Sequence, residues 1–150
     1  MKSFLLAQDV SVPMNTVFLI QTFGPALCEF TKDVSLWLRH EANGLLTVFV
    51  QYTSVSLLIQ ENVNPKVQGD LDAFFKRLVP SANDLQMSYL RHTYEGPDDM
   101  PAHIKAALLP TSLSIPASNG KLCLGRWQGI YLFEHRDARQ RRSVYAHLSQ

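Results

Sequence analysis

The chain is short of cysteine, of net charge and of long apolar runs. Its 150 residues include two cysteines, Cys28 and Cys123. Two thiols so far apart suggest neither a disulfide framework nor a zinc clip, so buried free thiols in a reducing cytosol are expected. Fourteen basic residues face thirteen acidic ones, a formal net charge of +1. That balance gives no global field to draw the chain to nucleic acid or to an acidic membrane. No stretch approaches the ~20 apolar residues of a membrane span. The apolar run FLLA near the start is interrupted by Gln8 and Asp9, too soon for a signal peptide. Internal repeats, low-complexity tracts, linkers and the Gly-Xaa-Ser-Xaa-Gly elbow of serine hydrolases are also missing. The expectation is one cytoplasmic domain over residues 1–150, with neither membrane nor nucleic acid as partner.

What is present is globular: 46% hydrophobic and 18% charged residues. TVFLIQTF (16–23) is short, β-branched and aromatic, and reads as a strand. Phe30, Val34, Trp37 and Leu38 follow helical spacing, with His40 at the helix end and Gly44 beyond it. GLLTVFVQYTSVSLLIQ (44–60) reads as a buried strand, broken near Thr53 and Ser54. Over 64–80 the spacing predicts the strongest helix, with Asn64 as cap, Pro65 at the first position and Pro80 at the end. Val67, Leu71, Phe74, Phe75 and Leu78 form its apolar stripe. Residues 81–100 make a long loop, a length that usually marks function or disorder. Asp98 or Asp99 then caps a short helix that runs to Pro110. SLSIP and KLCLG flank an Asn-Gly hairpin turn. RWQGIYLFEHR (126–136) and SVYAHL (143–148) form another pair across the basic loop RDARQRR. The order predicts an α+β fold: a mixed, mostly antiparallel β-sandwich with about three packed helices.

Four stretches carry candidate chemistry. In HTYEGPDDMPAHIK (92–105), His103 falls in the first turn of a helix, where the dipole keeps an imidazole neutral. With His92 and Glu95 it offers ligands for a divalent metal or groups for acid–base work. A solvated loop is the bland alternative. In QYTSVSLLIQENVNP (51–65) the polar residues sit at a strand end, where backbone hydrogen bonding is the commoner role. In GRWQGIYLFEHR (125–136), Glu134 and His135 are neighbours, so a strand turns them to opposite faces. Trp127 and Gln128 could hold a planar ring. Arg126, Arg136, Arg139, Arg141 and Arg142 suit phosphate or carboxylate. His147 alternates with apolar neighbours on the last strand.

Taken together, QYTSVSLLIQENVNP, YLRHTYEGPDDMPAHIKAALL, TSLSIP and LGRWQGIYLFEHR resemble the YjbQ-like proteins, also called the secondary thiamine-phosphate synthase family. The resemblance runs from about residue 15 onward. It implies a small α+β sandwich, a homotrimer and a weak thiamine-phosphate synthase activity on phosphorylated, ring-containing small molecules. The alternative is an anion, metabolite or metal binder that has lost turnover. The family's polar set falls on Glu61, Asn62, Asp70, His92, Glu95, Gly96, Asp99, His103, Trp127, Gln128 and Glu134. Of these, His92, Glu95, His103 and Glu134 are expected to be catalytic. Arg126, Trp127, Gln128, Arg136, Glu61 and Asn62 are expected to bind substrate or anion. His92 and His103 are expected to hold a divalent metal, zinc or magnesium. The chain departs from the family at Tyr52, where a third His is usual, and at Asn64, where the family has Asp. It departs again at Pro110 for Gly and at Arg126 for Thr. Loss of a ligand and an acid with gain of a cation shifts the expected site from metal towards anion.

Overall fold

The computed structural model describes residues 14–38 and 42–150. His40 and the N-terminal run lie outside the described residues. Eight strands and three α-helices alternate in the order β1 (Met14–Thr22), β2 (Ala26–Glu29), α1 (Thr31–Trp37), β3 (Gly44–Val50), β4 (Val55–Glu61), α2 (Pro65–Leu78), α3 (Asp99–Leu108), β5 (Ser112–Ser118), β6 (Lys121–Leu122), β7 (Gln128–Glu134) and β8 (Gln140–Ser149). The expected α+β sandwich is therefore present, and every described strand pair is antiparallel.

The predicted break near Thr53 separates two sheets. β3 belongs to a five-stranded sheet ordered β1-β8-β3-β5-β6, and β4 to a three-stranded sheet ordered β2-β7-β4. Leu46, Val48, Val50, Val144, Ala146 and Leu148 face Val55, Leu57, Ile130 and Leu132 across the core. The second face of the small sheet carries Tyr131 and Phe133, and helix α2 packs on it. The Phe75 ring meets Phe133 edge-on at 5.5 Å, and Gln68 Nε2 donates to the Tyr131 hydroxyl at 2.9 Å. This second covering layer explains why β7 is buried from Gly129 to Glu134 without alternation.

Three expectations are corrected. β7 and β8 do not pair with each other: β7 lies between β2 and β4, and β8 between β1 and β3. Both are apolar enough to take a central place, and the segment between them crosses the ~10 Å from sheet to sheet. The apolar stripe of α2 is only part-buried: Phe74 and Leu78 are exposed, while Val67, Leu71 and Phe75 are half-covered. The thiols are free but not buried, Cys28 being half-buried and Cys123 exposed. The hairpin turn holds as expected, with Asn119 and Gly120 both at positive φ, 50° and 71°.

Gly44 opens β3 at φ +149°, and a Cβ there would stand 2.0 Å from the Ser149 carbonyl oxygen. The neighbouring strand end is backbone and cannot yield. Gly44→Ala should therefore cost more than about 1 kcal/mol of unfolding free energy. Urea denaturation of the two proteins measures this, and an unchanged midpoint would contradict it.

Candidate functional site

The long loop after α2 makes one 3-10 turn at Leu85–Met87 and then runs along the N-terminus of α3. Gly96, at φ +108°, makes the tight turn that a side chain would resist: a Cβ would stand 3.0 Å from Asp98 Oδ1. That turn sets His92 and Glu95 beside the first turn of α3. Asp99 and His103 lie on one face of the helix, at positions i and i+4.

Asp99 is the hub. Its Oδ2 lies 2.7 Å from His92 Nε2 and 3.3 Å from His103 Nε2. Its Oδ1 accepts from Arg136 Nη1. Glu95 Oε2 is 2.9 Å from the same His92 nitrogen. The ligand atoms of His92, Asp99 and His103 fall within 4.8 Å of one another. Asp99 is 3% exposed. Burial opposes its ionisation, but the His92 hydrogen bond and the charges of Arg136, His103 and His92 outweigh that and hold its carboxyl below the usual range.

His103 Nδ1 lies 3.0 Å from the Thr53 carbonyl oxygen. A carbonyl can only accept, so Nδ1 carries the proton and Nε2 of a neutral ring is a lone pair. That lone pair faces a carboxylate. Either a second proton or a metal ion must lie between them. The Thr53 carbonyl thus does for His103 what an outer-sphere partner does for a metal-bound histidine.

Asp98 was a candidate helix cap. It occupies the cap position, but its side chain makes no cap hydrogen bond. Its Oδ2 accepts from Arg136 Nε at 2.8 Å and from the Asp137 amide at 2.9 Å. Burial works against its charge, and these donors prevail and keep its pKa low. Arg136 therefore braces both acids of the Asp98–Asp99 pair, and its Nη2 reaches the Glu95 carbonyl at 3.3 Å. Of the proposed anion grips, Arg136 is already engaged by carboxylates.

Glu134 is fully buried and separate from the histidines. Arg142 grips it with Nε at 2.7 Å and Nη2 at 2.6 Å, and the Thr22 hydroxyl donates at 2.9 Å. The His135 and Arg136 amides each donate to it at 3.0 Å. Burial opposes its ionisation, yet the Arg142 fork and these donors hold its pKa below the ordinary value. Tyr52 belongs to this second cluster. Its ring lies under the Arg142 guanidinium at 4.8 Å, and its oxygen accepts the Ser143 amide at 3.0 Å. The amide holds the phenol below its usual pKa. Among the described residues, Asp99 joins His92 and His103 in a group that could hold a metal ion.

Glu61, Asn62, Arg126, Trp127 and Gln128 gather at the opposite end of the small sheet. Glu61 is paired with Gln128, the Asn62 amide donates to the Trp127 carbonyl at 3.0 Å, and Arg126 lies 4.7 Å over the Trp127 ring. Six steps along β7, about 20 Å, separate Gln128 from Glu134. The structure therefore brings together His92, Glu95, Asp99, His103 and Arg136, and sets Trp127 and Gln128 apart from them within one chain. Asp70 is exposed on α2.

A family model described as UPF0047 protein YjbQ-like matches residues 16–150. The chain belongs to the YjbQ-like UPF0047 family. A UPF0047 protein of Synechocystis is 46% identical over 135 residues, covering 89% of each chain. The YjbQ protein of Escherichia coli O157:H7 is 47% identical over 93 residues, 62% of this chain and 64% of that one. A conserved hypothetical protein of Thermus thermophilus superposes with a TM-score of 0.78 at 29% identity, covering 89% of this chain and 99% of its own. Another YjbQ/UPF0047 member, from Clostridium acetobutylicum, gives a TM-score of 0.76 at 28% identity. These likenesses fix the fold and the YjbQ-like membership. Among the described residues, no helix is long and apolar enough to cross a membrane.

Proposed function

We propose that His92, Asp99 and His103 bind a divalent metal and that the protein acts on phosphorylated, ring-containing small molecules, with a weak thiamine-phosphate synthase-type transfer as the reaction. The observation that carries the metal reading is the convergence of His92, Asp99 and His103, whose ligand atoms all lie within 4.8 Å of one another. The donor set fits. Two imidazoles and one carboxylate favour zinc over magnesium, which prefers oxygen ligands and retains its water. Glu95 is within reach as a further oxygen or as a base.

Bound there, a divalent cation supplies positive charge to a departing diphosphate. The residues of the chain do the rest. Thr53 and Arg136 orient His103 and Asp99. Glu95 Oε2, 2.9 Å from His92 Nε2, would serve as the base. The exposed Tyr94 ring, 4.6 Å from His92, offers a face for a planar substrate. The reading also includes a cytoplasmic homotrimer. Val17, Tyr145 and Phe49 form one cross-strand row on the outer face of the large sheet, each more than 40% exposed. Such an apolar face is unusual for a monomer.

A non-catalytic metabolite binder is the second reading, favoured by the place of Trp127 and Gln128 at the opposite end of the small sheet, ~20 Å along β7 from Glu134. One experiment addresses both. The protein, stripped by chelator and reloaded with zinc, should bind one ion per chain, and His103→Ala should weaken binding at least about tenfold while the fold persists. Product formation from an aminopyrimidine diphosphate and a thiazole phosphate separates enzyme from binder. Zinc retained unchanged by His103→Ala would reject the site.

A further inference from the structure

Helix α3 has a second chemical face. Asp98, Pro101 and Lys105 follow at i, i+3 and i+7, turned away from the Asp99–His103 face. They line a cavity of about 200 Å³, together with Pro25, the end of α2 at Lys76–Ser81, and His135 and Asp137 beyond β7. Two polar groups on this wall have an atom with no protein partner among the described residues. Lys105 is 8% exposed, yet its ammonium has no hydrogen-bond or ion-pair partner among the described residues. His135 is 2% exposed, and its Nδ1 is buried without a partner. Its Nε2 lies 2.9 Å from Ser56 Oγ.

Asp72 and Asp137 attract the Lys105 charge, but neither forms an ion pair with its ammonium. Asp98 is committed to Arg136 and to the Asp137 amide. Asp137 is exposed, where water screens its charge. Lys76 is paired with Asp72 at 2.6 Å. The Lys105 ammonium is left to water on the cavity side, and an acceptor in the cavity would replace that water with a charge-assisted hydrogen bond.

We propose that this cavity is an oxyanion site, taking a phosphoryl or carboxylate group with Lys105 and His135 as its donors. If the Ser56 hydroxyl donates to Nε2, the neutral His135 ring carries its proton on Nδ1 and can donate it. Burial pushes the His135 pKa down to about 3, so the ring stays neutral at working pH. The volume is below the 300–1,000 Å³ of pockets for drug-sized ligands, so the site takes a small group. It does not depend on the metal reading, because it uses a different face of α3.

The test is a titration of the full chain with inorganic phosphate and, separately, acetate, followed by the ring nitrogen resonances of His135 and by the thermal midpoint. Binding should be saturable and should shift the His135 signals. Lys105→Met should weaken it at least about tenfold, the equivalent of one charge-assisted hydrogen bond. Ser81→Trp, a change at the exposed rim, should block it in a protein whose core is untouched. His103→Ala should leave it unchanged. Tighter phosphate than acetate assigns a phosphoryl group; the reverse order assigns a carboxylate. The proposal is overturned if neither anion binds, if both Lys105→Met and Ser81→Trp bind normally, or if His103→Ala abolishes binding.

Discussion

Arg142→Met should lower the unfolding free energy by about 3–5 kcal/mol, the cost of leaving a buried partner charge uncompensated. Arg142 is 5% exposed and Glu134 fully buried, so water cannot replace the lost guanidinium. The Glu134 carboxylate would keep the Thr22 hydroxyl and two amides, which lessens the penalty without removing it. Arg142 also reaches Ser54 Oγ at 3.2 Å and covers Tyr52. These residues form the crossover from β3 to β4, and the same crossover presents the Thr53 carbonyl to His103. The variant should therefore loosen the histidine site as well as the sandwich. The pH profile gives an independent check. Glu134 has an ordinary value of 4.5 and a lower one in the fold. Its contribution is therefore present above about pH 4.5 and is lost as pH falls through the folded value. Arg142→Met should flatten that acid limb. A loss below about 1 kcal/mol, in the range of exposed ion pairs, would show that the pair is screened.

The local rules were legible where they act over a few residues. Asn64 accepts the Lys66 amide at 3.0 Å, Pro65 opens α2, and the Asn119–Gly120 turn closes its hairpin. The break at Thr53 was readable too, but not its consequence, because which sheet a strand joins depends on partners far along the chain. That is why β7 and β8 read as a hairpin: adjacency and alternation favour it, and only the competition of β2 and β4 for β7 decides otherwise. The α2 stripe misled for a related reason. A 3.6-residue period shows that one face is apolar, not that something within this chain covers it.

The candidate site was legible in its histidines and hidden in its hub. HTYEGPDDMPAHIK shows two imidazoles, and it is the family resemblance that points to Tyr52 as the place of a third ligand. The usable signal was the i, i+4 relation of Asp99 to His103, which puts a carboxylate beside an imidazole on one helical face. That two acidic neighbours would share one arginine from the far end of β7 could not be read, since Arg136 lies 37 residues on from Asp99. Glu134 likewise read as a free carboxylate because its five donors come from three separate segments of the chain.

Asp99→Asn should then be the most damaging single change at the site. It keeps shape and volume but removes the carboxylate charge that His92 and His103 meet at Oδ2 and Arg136 at Oδ1. Zinc affinity should fall by more than about 100-fold, since outer-sphere partners alone account for 10–100-fold and Asp99 is itself a ligand in this reading. Stability should move less. The loss of a charge-assisted hydrogen bond to Arg136 costs about 1.5–3 kcal/mol, and Asp98 still holds the guanidinium through Nε at 2.8 Å. In the parent protein, zinc competes with protons for ligands that include the Asp99 and Glu95 carboxylates beside His92, so binding should tighten as pH rises. In the variant one of those carboxylates is gone, and the pH dependence should weaken with the affinity. Competition against a chromophoric chelator at several pH values reads both effects. Zinc binding in Asp99→Asn that matches the parent in strength and slope would exclude Asp99 as a ligand and leave it a brace for Arg136.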